Sequence, residues 1–204
     1  MTCVDHDILL RRLEQSFGVR STPLTWIRSF MHGRTQQVCY AGRLSTIILL
    51  LFGVPQGSVL GPLLFLLYNA ELFDVIAISG LTGHSYADDT QVYISAPAAS
   101  TSTITQMFVE CVERVDAWMS SNRLRMNADK TQLVWLGTRQ QLDKLSATEL
   151  SLLSARVQFS TTVSDLGVLI DGQLSIVPLV ALPVLLFPVE TASTGPVVTD
   201  SRCG

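Results

Sequence analysis

Tyr86-Ala87-Asp88-Asp89 is the stretch on which the fold turns. An apolar-polar run, Ile78 to Ser85, leads into it, and an alternating run, Thr90-Gln91-Val92-Tyr93-Ile94, leads out. That pattern reads as strand, tight turn and strand, with both carboxylates at or beside the turn. Adjacent strand residues face opposite ways, so a turn or kink must bring the two carboxylates to one place. Two such charges at close range repel unless a proton or a cation compensates them. The hard cation suited to carboxylate oxygens is divalent, magnesium above all. Asp is also an ordinary turn residue, so the pair alone specifies no more than a polar hairpin tip. Its neighbours decide what the tip is for.

The chain has 204 residues, 48% hydrophobic and 15% charged, enough for one or two domains with a real core. Its net charge of -3 and pI of about 5.5 lack the basic surplus of a protein that grips nucleic acid unaided. Any such contact must be local or shared with further segments. Cys3, Cys39, Cys111 and Cys203 are widely spaced and form no metal-type pair. Reduced thiols in an intracellular protein of nucleus or cytoplasm are expected, and Met1 to Asp7 shows no apolar secretory core. The apolar runs Leu44–Val54 and Ile176–Val189 fall short of the roughly 20 residues a membrane span needs. A monomer without a membrane partner is expected.

Upstream of the hairpin, Leu9, Leu10, Leu13 and Phe17 share a helical face, with Asp5 or Asp7 as cap and Gly18 as stop. His6 reads as a surface or capping residue. Thr22-Pro23 opens a second helix with Pro at its first position, striped by Trp26, Ile27, Phe30 and Met31 and ended by Gly33. Arg34–Ala41 and Leu44–Leu51 form a hairpin about Gly42-Arg43. Arg28, His32, Arg34 and Arg43 give this part a positive bias, which an ordinary solvated face explains as well as a phosphate contact does. Gly53 to Pro62 is a loop of little bulk whose glycines let a backbone approach a ligand, and Gln56 offers both donors and acceptors. It lacks the Gly-Lys-Ser/Thr ending of a P-loop. Pro62 then starts a helix, Leu63 to Asn69, apolar nearly all round and so expected to be buried.

Downstream, Pro97–Thr103 is a linker. A long helix follows, with Ile104, Met107, Phe108, Cys111, Val112, Val115, Trp118 and Met119 on one side as core. Asn122–Lys130 reads as a polar turn, Thr131–Leu136 as a strand closed by Gly137, and the link to Leu150 as weakly patterned. Val157–Phe159 and Val163–Ile170 read as strands, with Asp171-Gly172 as a turn.

Together these pieces resemble the reverse transcriptase domain of non-LTR, LINE-type, Jockey-like retrotransposons, from about Val4 to Leu174. Asp5-His6-Asp7-Ile8-Leu9 is similar to the tail of the family's first catalytic motif. Gly53 to Pro62 resembles its template- and nucleotide-positioning motif. Tyr86 to Asp89 resembles its metal-binding hairpin. Asn127 to Leu136 resembles the next palm motif, with Lys130 in the lysine position, and Leu166-Gly167-Val168 resembles the primer-grip region. The resemblance implies RNA-directed DNA polymerase activity with Mg2+ as cofactor, and an RNA template, a DNA primer and deoxynucleotides as partners. It implies Asp88 and Asp89 as catalytic metal ligands, Gln56 and Gly57 against the nascent base pair, and Lys130 at the pyrophosphate.

The fold class expected is α/β (α+β): a polymerase palm with an antiparallel sheet backed by helices, partial fingers and no proper thumb. Residues 1–52 are expected to form partial fingers and palm, 53–174 the palm core, and 175–204 a divergent, disordered Pro-rich tail. The family's first metal-binding Asp has no counterpart among these residues, and Asp5 and Asp7 fall too far along to replace it. The chain is therefore expected to be a truncated fragment, inactive alone. A non-catalytic nucleic-acid-binding remnant using Arg28, Arg34, Arg43 and Lys130, or a translated remnant with no selected role, are the alternatives.

Overall fold

A computed structural model describes residues 4–54, 57–97, 100–127, 130–145, 148–153, 155–165, 168–172 and 182–191. The fold is α+β and divides into two compact units, one built on Met1–Tyr68 and the other on Asn69–Glu190.

In the first unit, α1 (His6–Gln15) starts at Asp5, whose carboxylate accepts from the Asp7 and Ile8 N–H groups. The cap is thus Asp5 rather than Asp7. Leu9, Leu10 and Leu13 are buried, whereas Phe17 lies beyond the helix end and is exposed. His6 is not the surface residue expected. It is buried, and its Nε2 donates to the Gly53 carbonyl at 2.7 Å. The Gly53 N–H in turn donates to Val4 O at 2.8 Å, so the start of the glycine-rich loop is fixed to the start of α1. In α2 (Ser21–Met31) Pro23 is the third residue, and only Leu24 and Met31 are buried. Trp26 is exposed and stacks on Phe30 at 5.8 Å, and the Arg34 guanidinium lies over the same Phe30 ring. Of the expected stripe only Met31 is thus fully buried, while the stack covers apolar area locally around Phe30.

The expected hairpin is present but broken in two. β1 (Thr35–Gln36) and β2 (Cys39–Tyr40) pair with β4 (Ile48–Leu49) and β3 (Arg43–Leu44) respectively. Thr35 lies opposite Leu49 but Cys39 opposite Leu44, so the return strand carries one extra residue, a bulge. Ser45 sits there, its N–H on Val38 O and its hydroxyl accepting the Val38 N–H. The turn is Ala41-Gly42, with φ of 49° and 73°, rather than Gly42-Arg43. Both angles are left-handed, as a two-residue turn matched to strand twist requires.

In α3 (Leu60–Asn69), Leu64, Phe65 and Tyr68 are buried while Leu63 and Leu66 are half exposed, so the helix is one-sided rather than buried all round. Arg12 of α1 is itself buried. Its guanidinium donates to the Tyr68 carbonyl and lies 5.2 Å from that ring's centroid, placing a cation at the negative end of α3.

The second unit opens with α4 (Glu71–Ile78), a helix not expected from the sequence; Ile78, expected to begin the run into the hairpin, is its last residue. By length and composition Leu60–Ile78 is apolar enough to cross a membrane. It folds as two helices, each with a buried stripe, Leu72 and Ile76 forming that of α4. Gly80, at φ 73°, turns the chain into β5 (Thr82–Tyr86), which pairs antiparallel with β6 (Asp89–Tyr93). Then come α5 (Thr101–Ser121), β7 (Leu124–Met126), β8 (Gln132–Leu136), α6 (Arg139–Leu142), β9 (Glu149–Leu152) and β10 (Ala155–Ser160). β11 (Thr162–Asp165), β12 (Val168–Asp171) and β13 (Leu182–Thr191) complete the unit. The main sheet runs β5-β6-β13-β8-β10-β9, with β7 also on β13, and β11–β12 is a separate ribbon. Only the β8/β10 pairing among those described is parallel.

The expected core stripe of α5 holds: Ile104, Phe108, Cys111, Val112, Val115 and Met119 are buried. On β6, Thr90 and Val92 are buried while Asp89 is exposed, the alternation of a strand with one covered face. The cover includes α4. A Cβ on Gly83 of β5 would lie 2.9 Å from Ile76 Cδ1 and 3.2 Å from Phe73 Cδ1, so glycine there lets helix and strand meet closely.

The tail departs most from expectation. Residues 182–191 form a strand inside the sheet, not a disordered segment, while 175–181 and 192–204 lie outside the described residues. Proline forbids helix but is compatible with extended backbone. β13 pairs with β6 over Val184–Pro188 and with β8 over Leu182–Leu186. The part paired on both sides, Val184 to Leu186, contains no proline. Pro183 lies beyond the β6 ladder and Pro188 beyond the β8 ladder, and neither has an N–H to give to a partner strand.

Candidate functional site

The β5–β6 hairpin closes with Tyr86 opposite Asp89, leaving Ala87-Asp88 as a two-residue turn. Ala87 has φ 56°, a left-handed conformation that costs a residue with a Cβ roughly 1–2 kcal/mol. That turn puts Asp88 at the tip and Asp89 at the first strand position, both exposed. Ala87→Gly removes the Cβ penalty and adds unfolded-state entropy in part exchange. A net gain of about 0.5–1 kcal/mol is expected in a denaturant melt.

Along β6, Asp89, Gln91 and Tyr93 occupy the more open face, in register with Tyr86, His84 and Thr82 of β5. His84 stacks on Tyr93 at 5.3 Å and shares a hydrogen bond with its hydroxyl. Gln91 Nε2 donates to Asp165 Oδ2 at 2.8 Å. Two strands over, on β8, Gln132 Oε1 accepts the Ser164 N–H at 3.1 Å. The β11–β12 ribbon is thereby tied to the face that bears Asp89. Asp165 is a residue the sequence reading missed: nothing local in Val163-Ser164-Asp165 points to a partner 74 residues away.

Asp89 holds its proton more tightly than an ordinary Asp. Partial burial is the largest cause, followed by repulsion from Asp88 and then Asp165, while Lys130 acts in the opposite sense. Lys130, just before β8, is thus drawn into the same electrostatic neighbourhood as the two hairpin carboxylates. A carboxyl with a raised pKa is destabilised in the folded chain once ionised. The cost is full above the raised pKa, fades as pH falls towards 3.8, the ordinary value, and is absent below it. Asp89→Asn is therefore expected to raise the melting temperature at neutral pH and to leave it unchanged in acid below that window, as calorimetry across pH would read.

Asp88 and Asp89 are neighbours at the hairpin tip, and Lys130 lies within electrostatic reach of Asp89, all three in the second unit. Gly57 belongs to the first unit and adopts φ 79°, the left-handed region that favours glycine. Gln56 lies outside the described residues, as do Leu166 and Gly167 of the expected primer-grip segment, and Val168 opens β12. The hairpin carboxylates are hard oxygen donors crowded by like charge, which suits a divalent cation in kind. Among the described residues no three His, Cys, Asp or Glu side chains converge on one point.

Residues 3–168 match the family described as reverse transcriptase (RNA-dependent DNA polymerase). The chain is 27% identical over 154 residues to the RNA-directed DNA polymerase from mobile element jockey of Drosophila melanogaster. That alignment covers 73% of this chain and 16% of that protein. It is 31% identical over 109 residues to the protein of the same description from Drosophila funebris, covering 51% of this chain and 12% of that one. The chain thus spans less than a fifth of the length of these relatives. No solved structure matches it. With most of its length inside the family match, and with relatives from mobile element jockey, the chain belongs to the reverse transcriptase family, on its non-LTR, LINE-type side.

Proposed function

We propose that this chain carries the metal-binding palm hairpin of an enzyme that copies RNA into DNA. The observation behind this reading is the exposed Asp88-Asp89 tip with Lys130 acting on Asp89, set within the residues that match the family. In the proposed reaction a primer 3′-hydroxyl attacks the α-phosphate of a deoxynucleotide paired to an RNA template, and pyrophosphate leaves. Asp88 is the main ligand for a divalent cation, Mg2+ by choice, and Asp89 the assisting one. When bound, that cation supplies charge stabilisation at the phosphoryl and leaving oxygens. Lys130 offers positive charge or a proton to the departing pyrophosphate. Gln56 and Gly57 line the nascent base pair, where a glycine lets the backbone come close.

Two-metal transfer depends on both the charge and the geometry of its full ligand set, and the family's first metal-binding Asp has no counterpart in these 204 residues. Purified alone, the chain is expected to extend no DNA primer on an RNA template. Magnesium-dependent extension that disappears in Asp88→Ala overturns that expectation. The polymerase reading itself is tested by placing residues 3–168 in a jockey polymerase in exchange for the matching segment. A folded chimera that extends the primer, and stops doing so with Asp88→Ala, supports it; a folded chimera with no extension counts against it.

A further inference from the structure

β6 and β8 both run antiparallel to β13, so they run parallel to each other, joined through α5. This is a split β-α-β unit: the crossover leaves a slot one strand wide. Both walls of the slot are rows of backbone N–H and C=O groups that must be paired when covered. A strand entering from outside the crossover can satisfy both walls at once. In this chain the strand is Leu-Pro-Val-Leu-Leu-Phe-Pro-Val-Glu-Thr, residues 182–191. It makes five register pairs with each wall.

We propose that the β6/β8 slot is a strand-acceptor site, and that its partner is the 182–191 strand of a second copy of this chain, exchanged for the copy's own. Three observations carry this beyond a description of the sheet. First, the filling strand comes from far along the sequence: Phe187 pairs with Thr90 and Leu185 with Leu133. During synthesis at about 5–20 residues per second, the slot waits several seconds between completion of Leu136 and arrival of Leu182. Throughout that time it presents two unpaired edges, the template on which another chain's strand adds. Second, the strand of a second copy is identical, so it makes the same ladder in trans as in cis. Exchange of an identical element between two copies is a low-cost route to a dimer. Third, Pro183 and Pro188 withhold two donors from the ladder, so the strand is held by fewer backbone bonds than its length would allow. The proposal does not depend on the polymerase reading.

The test uses two full-length chains, one carrying Thr90→Cys and the other Phe187→Cys. These positions are opposed in the ladder, at a separation a disulfide spans. The chains are mixed, incubated and mildly oxidised, and peptide mapping identifies the bond formed. Exchange predicts a 90–187 bond between the two chains, at a yield that rises with protein concentration. A second pair on the other wall, Leu133→Cys with Leu185→Cys, repeats the test should the first pair fold poorly. A 90–187 bond that forms within the doubly substituted chain, but never between singly substituted chains, overturns exchange. Absence of the bond in both samples overturns the acceptor site itself.

Discussion

Phe108→Ala is expected to cost the fold about 3–5 kcal/mol, the range for deleting a fully buried aromatic ring. Phe108 is 1% exposed and sits in the middle of α5, between Ile104 and Cys111 on the buried stripe. The loss has two parts. The ring's transfer from water is forfeited, and the cavity left behind closes only in part because helix and sheet are held apart by other side chains. In a chain of this size the change corresponds to a fall of roughly 6–20 °C in melting temperature. Urea unfolding monitored by circular dichroism checks it: the midpoint should fall with the slope unchanged. A loss below about 1 kcal/mol would show that α5 packs loosely on the sheet. The nearby Cys111 thiol, raised in pKa chiefly by burial, serves as a second readout. It should stay inert to alkylating reagents in the parent and react in the variant.

The second large effect concerns the hairpin. With both carboxylates neutralised, as Asp88→Asn with Asp89→Asn, affinity for a divalent cation is expected to fall at least tenfold, since hard cations take their binding energy from charged oxygens. Mn2+ is the practical probe because it broadens nearby NMR signals. In the parent chain the amide signals of residues 86–91 should broaden on adding Mn2+ and recover on adding excess Mg2+. In the double variant they should remain sharp. Equal broadening in both chains would place the cation elsewhere and remove the hairpin from the proposed chemistry. Since Asp89 binds its proton more tightly than usual, proton and cation compete, and Mn2+ affinity should strengthen as pH rises through the Asp89 titration.

The parts of this fold that were legible in sequence are those whose instructions are local. The Asp-Asp hairpin declares itself by alternation and turn chemistry within a dozen residues, and α5 by a stripe repeated over about four turns. α4 was obscured because Glu71–Ile78 continues the apolar run of α3, with only Ala70 between them. β9 was readable in principle, since Glu149 to Leu152 alternates exposed and buried, but four residues beside a charged link make a weak signal. Two features had no local signature at all. Asp165 joins the candidate site only through Gln91, and β13 is placed by partners some 50 and 97 residues distant. Proline content argued against helix, and over residues 182–191 it said nothing against a strand.

Arg12 has a mechanical implication. Its buried guanidinium donates to the Tyr68 carbonyl near the end of α3, and a buried cation torn from its acceptor is costly. Within the first unit α1 and α3 must then shift together, as one lever. His6, on the first turn of α1, grips Gly53, so the chain leading to Gly57 rides on the same lever. Pressure on the far end of α3 would reach that glycine through two hydrogen bonds rather than through the loop's own backbone.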